Sequence, residues 1–299
     1  MRKTMRKVIS VLLVLTLVFS VLPTATIAAA LATPTTVSIN LTAQKDGAFL
    51  FAPKTGFSVS SDTAENYGFS DKVPNGVSLM DVLVAAHVAY YGDAFTKENA
   101  SSYIVVNTNG EPVTTFGVGT TAYSADYTVN GVIPNNGDYE CGQNIDFTHL
   151  KDTKMKDNDS VEFFVFQDTK SRKDNYAWLN KNGASVDVLT LEPSEEVTLQ
   201  VKGIHFLSEA TGFSSADQMR AAGTAIGGVK VGIYDAAKNT VTEKWTADAS
   251  GNVTVSFDKA GTYYIAPYGS DANGVPTILG LTKVEVRPIS LYPTPSALS

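Results

Sequence analysis

Few residues of this 299-residue chain stand in a pattern that makes chemistry. Its histidines, His87, His149 and His205, lie far apart, and none forms the H-x-x-x-H spacing that sets two imidazoles on one helix face for a metal. His87 falls one position after Ala86 of a helical apolar stripe, which makes it a flanking, partly exposed residue. Cys141 is the single cysteine and has no CxxC partner. A catalytic thiolate needs a base beside it, and none can be placed, so Cys141 reads as a buried or loop thiol. Asp157-Asn158-Asp159 clusters oxygens as a hard cation requires, but no Glu follows at EF-hand spacing, and the segment reads as a solvated turn. Gly223–Lys230 is glycine-rich yet lacks the Gly-Lys-Ser/Thr end and the following helix of a phosphate loop. No G-x-S-x-G elbow is present. The expectation is a non-enzymatic protein with no catalytic residues, no metal and no cofactor of its own.

The aromatic residues offer more. Tyr67, Phe69, Tyr90, Tyr91, Phe116 and Tyr123 fall around one helix and two loop regions, with Tyr127 just beyond. Exposed ring faces bind sugars and flat cofactors, and the same rings also serve as core or edge packing. The six form the candidate ligand site, sought between Asn66–Phe69, Phe116–Tyr123 and the end of the helix. The partners this implies are a small molecule, a glycan or a surface protein.

That helix is Val77–Gly92. Ser78 caps its first turn, Asp81 suits the positive end of its dipole, and Gly92 stops it. Leu79, Val82, Leu83, Ala86 and Tyr90 recur on one face, which predicts an amphipathic helix lying across a sheet. Strands are expected at Thr35–Thr42, Ala48–Phe51, Tyr103–Val106 and Tyr127–Val132, with Lys54–Pro74 a long loop. Val161–Gln167 is apolar on both alternations and belongs at a sheet centre covered on both faces. Asp174–Leu179 closes this first domain, and the boundary falls near Lys181–Ser185. Beyond it, strands at Val186–Leu191, Val197–Val201, Val229–Tyr234, Lys244–Ala247, Val253–Phe257, Thr262–Ala266 and Thr282–Val286 alternate cleanly, which predicts an antiparallel sandwich. The fold class is mainly β with one main helix: an α+β domain over 33–183, then a β-sandwich over 184–287 and a disordered proline-containing tail over 288–299.

The first 32 residues carry Arg2, Lys3, Arg6 and Lys7, an apolar run over Val8–Leu22 and small-residue cleavage sites at Ala28–Ala30 and Ala30–Ala32. This is the pattern of a secretory signal peptide. Its removal takes those four basic residues from a total of 23 and no acidic residue from 30, leaving 19 against 30. An excess of acid excludes nucleic acid and anionic membrane surfaces as partners. No membrane span is expected after signal removal. A large exported chain with one cysteine cannot staple itself, so its stability rests on its core, a composition common in Gram-positive secretion. The expected location is extracellular or on the cell surface.

Three places in the first domain resemble a bacterial domain family of unknown function related to the C-terminal domain of transcobalamin. Ser78-Leu79-Met80-Asp81-Val82-Leu83 is similar to the family's helix start. Tyr127-Thr128-Val129-Asn130-Gly131-Val132 is similar to its strand-turn signature, and Leu150–Phe166 to its closing element. Where the family often carries a tryptophan segment before the Val-Asn-Gly turn, this chain has Phe116 and Tyr123. The resemblance implies a β-grasp-like fold and, through one relative, capture of a small cofactor such as a corrinoid. The segment Ala247–Ile265 resembles bacterial immunoglobulin-like (Ig-like) surface modules, with a strand, a Gly turn, a strand and an Ala-Gly-Thr-Tyr progression. The functional expectation is an exported binding or adhesion protein, with cofactor capture and an unrecognised secreted hydrolase as alternatives.

Overall fold

The computed structural model describes residues 33–69, 73, 76–106, 112–117, 125–133, 150–151, 153–206, 213 and 215–288. Residues 1–32, read as a signal peptide from the sequence, Tyr123, Cys141, His149 and the residues beyond Pro288 lie outside them. From Pro34 onward the chain forms one compact unit, and the fold is mainly β with few helices.

In chain order come β1 (Thr36–Lys45), β2 (Ala48–Phe49), β3 (Lys54–Ser60), α1 (Thr63–Asn66) and α2 (Leu79–Tyr91). A 3-10 turn (Gly92–Ala94), α3 (Ala100–Tyr103), β4 (Val105–Val106), β5 (Pro112–Thr114), β6 (Ala125–Val129) and β7 (Ser160–Val165) follow. In the first sheet β1 is interior: it pairs antiparallel with β2 and β3 on one side and parallel with β7 on the other, and β6 lies antiparallel outside β7. The parallel pair is joined through α2, since a parallel connection needs a long crossover. Lys54–Ser60 is thus a strand and not the expected loop. Only Val59 is fully buried there, so too few apolar residues mark the period of this sheet edge.

The capping of α2 follows the sequence. Ser78 Oγ accepts from Asp81 N at 3.0 Å, and Asp81 Oδ2 accepts from Ser78 N at 2.8 Å. Its amphipathic character does not follow: every residue from Leu79 to His87 is buried. One face meets Ile39, Leu41, Val161 and Phe163 of the sheet, while Ala64, Phe95, Ile104, Phe116, Leu150 and Met155 complete the same core. The segment around Leu150–Met155 is stitched to the helix start, with Leu79 N donating to Thr153 O at 2.9 Å and Met155 N donating to Val77 O at 2.8 Å. Sequence periodicity sees the helix's own stripe but not the distant segments that bury its back.

The second half begins with β8 (Asn175–Lys181), β9 (Ala184–Ser185), β10 (Val188–Leu191) and β11 (Val197–His205). It continues through α4 (Ala216–Ala222), β12 (Thr224–Ala225), β13 (Lys230–Asp235), β14 (Thr240–Thr246), β15 (Asn252–Val255), β16 (Gly261–Tyr268), β17 (Thr277–Ile278) and β18 (Thr282–Val286). One sheet runs β12-β11-β8-β17, with β15 and β9 attached, and another runs β10-β18-β16-β13-β14. Leu179, Leu199, Val201, Val231, Ile265 and Val284 pack between these two sheets. Most pairings are antiparallel as expected, but β10 with β18 and β8 with β17 are parallel. The strand β8, which the sequence puts last in the first domain, pairs along its length with β11.

The halves share a core. On β7, Val161, Phe163 and Val165 face the helix, while Phe164 and Phe166 beside them face Tyr176, Trp178 and Phe206. This matches the double-sided burial expected of Val161–Gln167. A polar clasp adds to it: buried Gln44 donates through Nε2 to Leu279 O at 3.1 Å and accepts through Oε1 from Leu279 N at 2.7 Å. Replacing Gln44 with Ala leaves a buried N–H and C=O without partners, each costing about 1–3 kcal/mol. Gln44→Ala is therefore expected to cost about 3 kcal/mol of stability, seen as a lower urea midpoint with little change in slope.

Candidate functional site

The rings near the end of α2 form a continuous network. Tyr67 stacks on Phe95 with centroids 5.0 Å apart and planes at 22°. Phe95 meets Tyr103 edge-on at 5.4 Å, Tyr103 meets Tyr91 at 4.5 Å, and Tyr91 meets Tyr90 at 4.5 Å. Of the expected site residues, Phe69 and Phe116 are core, Tyr67 and Tyr91 are half-buried, and Tyr90 is 40% exposed. Phe95 and Tyr103 belong to the network but no sequence pattern marks them, because Phe95 follows a 3-10 turn and Tyr103 ends the four-residue α3, both too short to show a period.

Between the end of α1 and the end of α2 lies an open hollow of about 550 Å³, lined by Asn66, Tyr67, Val88, Gly92, Asp93, Phe95, Thr96 and Lys97. This volume falls in the range of small-molecule pockets. Tyr67 is the one residue of the expected set that lines it. The helix ends here because Gly92 takes φ 55° and ψ −133°, which only glycine adopts readily. Among the described residues, no atom beyond its chain neighbours and its own helix backbone lies within 4 Å of where a Cβ on Gly92 would stand.

His87 sits beneath this network, fully buried rather than partly exposed. Its Nδ1–H donates to Leu83 O at 2.8 Å, and its Nε2 accepts from Phe116 N at 3.0 Å. A carbonyl can only accept and an amide N–H can only donate, so the ring is held as one neutral tautomer. Its face stacks on Phe116 at 4.1 Å. The same contact secures Phe116, whose φ of 51° is unusual for a bulky residue. With both nitrogens engaged, this imidazole serves as a structural lock and has no lone pair left for a metal or a proton transfer.

The acidic turn is equally committed. Asp157 Oδ1 accepts from Ser38 N at 2.8 Å, while Asp159 accepts from Asn130 Nδ2 at 2.9 Å and from Lys156 N at 2.7 Å. These carboxylates fasten the turn before β7 to β1 and to the Asn130-Gly131 turn. In Gly223–Lys230, a Cβ on Gly227 would stand 2.6 Å from Ala249 O, so that glycine serves close backbone packing. Among the described residues no group of three His, Cys, Asp or Glu could hold a metal ion.

Asp126 and Glu162 lie on the far face of the first sheet, beside Phe164 and Thr128. Burial pushes the Asp126 carboxyl up to about 7, against which the Tyr127 N–H and the Arg172 charge pull it down. Nearby, Glu162 accepts from Thr128 Oγ1 at 2.8 Å and from the Tyr176 hydroxyl. Burial, then the Glu162 charge, raises the Tyr176 phenol well above its ordinary value.

No family model, curated protein or solved structure matches the chain. No helix among the described residues is long and apolar enough to cross a membrane.

His87 and Asp126 give the fold opposite responses to pH. Burial lowers His87 from 6.5 to about 4, so its contribution is complete above pH 6.5 and is lost as pH falls toward 4. Asp126 is raised from 3.8 to about 7, so its contribution is complete below pH 3.8 and is lost as pH rises through 7. At ~1.4 kcal/mol per pH unit these amount to about 3 and about 4 kcal/mol, and over the shared window they offset each other. Urea unfolding between pH 4 and 7 is expected to expose each when the other is removed. Asp126→Asn should show stability climbing with pH, and His87→Gln should show it falling.

Proposed function

We propose that this is an exported, non-enzymatic binding or adhesion protein of a bacterial surface or its surroundings, with the hollow at the end of α2 as its recognition site. The observation that carries the reading is an open depression walled by a braced aromatic pair, Tyr67 on Phe95, with the nearby imidazole committed to the fold. The first half is β-grasp-like. A hairpin, a helix and two further strands with a parallel central pair support that reading. The second half, two packed sheets of short strands, is Ig-like and acts as the platform.

Expression of the whole chain in a secreting bacterial host tests both parts. The protein recovered from the medium is expected to begin at Leu31 or Thr33 by mass spectrometry; retention in the cell with Met1 intact contradicts export. That protein should adhere to bacterial cell-wall preparations or to one of a panel of surface polymers and small cofactors, cobalamin included. Tyr67→Leu should reduce adherence about tenfold, in line with loss of an aromatic anchor. Robust hydrolytic turnover by the purified protein, or undiminished adherence of the variant, overturns the reading.

A further inference from the structure

The chemistry lining the hollow narrows what it can hold, and the step rests on the reading of the hollow as the recognition site. Its aromatic wall is fixed in advance. Tyr67 is backed by Phe95, and Phe95 is held in turn by Tyr103 and His87. A ring braced in this way loses little rotamer freedom when a ligand covers it. Phe95 is buried and Tyr67 only half-buried, so Tyr67 is the ring left to meet a ligand.

The polar lining carries no net charge. Asp93 and Lys97 are opposite in sign, and Asn66 and Thr96 are neutral. Asp93 supplies acceptors and Lys97 donors, while Asn66 and Thr96, which also bond the carboxylates of Asp62 and Glu98, offer their remaining capacity. The backbone at the end of α2 adds nothing free, because Val88 O accepts from Gly92 N and Gly92 O accepts from Phe95 N at 3.1 Å. A charged ligand gains no net attraction from such a lining. A flat apolar ligand would strip water from its polar groups without replacing those bonds. A molecule with an apolar C–H face and many hydroxyls satisfies both the ring and the rim.

Shape gives the last restriction. The hollow is an open depression and not an enclosed cavity, so it covers one face of a ring and leaves the ends of a chain free to run on. We propose that it takes a neutral pyranose unit of an extended saccharide, its C–H face on Tyr67 and its hydroxyls on Asn66, Asp93, Thr96 and Lys97.

Isothermal titration of the purified protein with neutral gluco-, xylo- and manno-oligosaccharides tests this, with polygalacturonate, choline and cobalamin run alongside. At least one neutral series is expected to bind with Kd of ~1 mM or tighter, a strength typical of a single shallow contact. Raising the salt should leave that binding unchanged, because no ion pair carries it. Tyr67→Phe should retain it, while Tyr67→Leu and Asp93→Ala should each weaken it about tenfold, circular dichroism confirming that all three variants fold. Binding of only the charged probes or cobalamin, salt-sensitive binding, or indifference to Tyr67→Leu overturns the proposal. Surface adherence that depends on Tyr67 but is not competed by any neutral oligosaccharide overturns the saccharide assignment and leaves the recognition site standing. Absence of adherence altogether overturns both.

Discussion

One buried carboxylate sets the geometry of the first half. Asp81 accepts from the Ser78 N–H, the Ser78 hydroxyl and, at 2.7 Å, the Ala64 N–H. Two of these bonds begin α2, and the third fastens α1 against it. The hollow has one side on the residues that end α1 and the other on those that end α2. A carboxylate removed from water is tolerated only when donors surround it, and here those donors belong to the two elements that must not shift. The hollow is therefore positioned by an interaction at the opposite end of the helix.

The same economy recurs wherever a polar group is buried. His87 offers one nitrogen to its own helix and the other to the turn at Phe116, so a single ring joins two segments 29 residues apart. Gln44 does so over 235 residues, mimicking a strand partner for Leu279. In each case a side chain completes backbone hydrogen bonding where no regular ladder reaches. The apolar layers then follow from β7 and β8, each of which turns alternate side chains into different cores. The helix and the three larger sheets are stacked through these two strands.

What the sequence revealed was local. The capping of α2, its stop at Gly92, the Asn130-Gly131 turn and the double-sided burial of Val161–Gln167 all depend on residues within a few positions of one another. The alternation of the second half is legible for the same reason. What it concealed depends on distant chain. The back of α2 is covered by Phe95, Ile104, Phe116, Leu150 and Met155, so from the sequence alone His87 looks like a flank. The strand Lys54–Ser60 has polar faces and reveals itself only through its pairing with β1. The parallel pairs at β10 and β17 leave no mark in periodicity. Of the candidate site, the neighbourhood was legible as a concentration of rings, but Phe95 and Tyr103 owe their place to a 3-10 turn and a single-turn helix that no repeat announces.

The first and last strands of the described chain are both interior. β1 lies between β3 and β7, and β18 lies between β10 and β16. Tension applied at the two ends pulls along these strands, across ladders of hydrogen bonds on both sides of each. The bonds are then loaded together in shear instead of being peeled one by one. A chain anchored at one end and tugged at the other, as in flowing liquid, meets its mechanical resistance at the outset, before any inner sheet is disturbed.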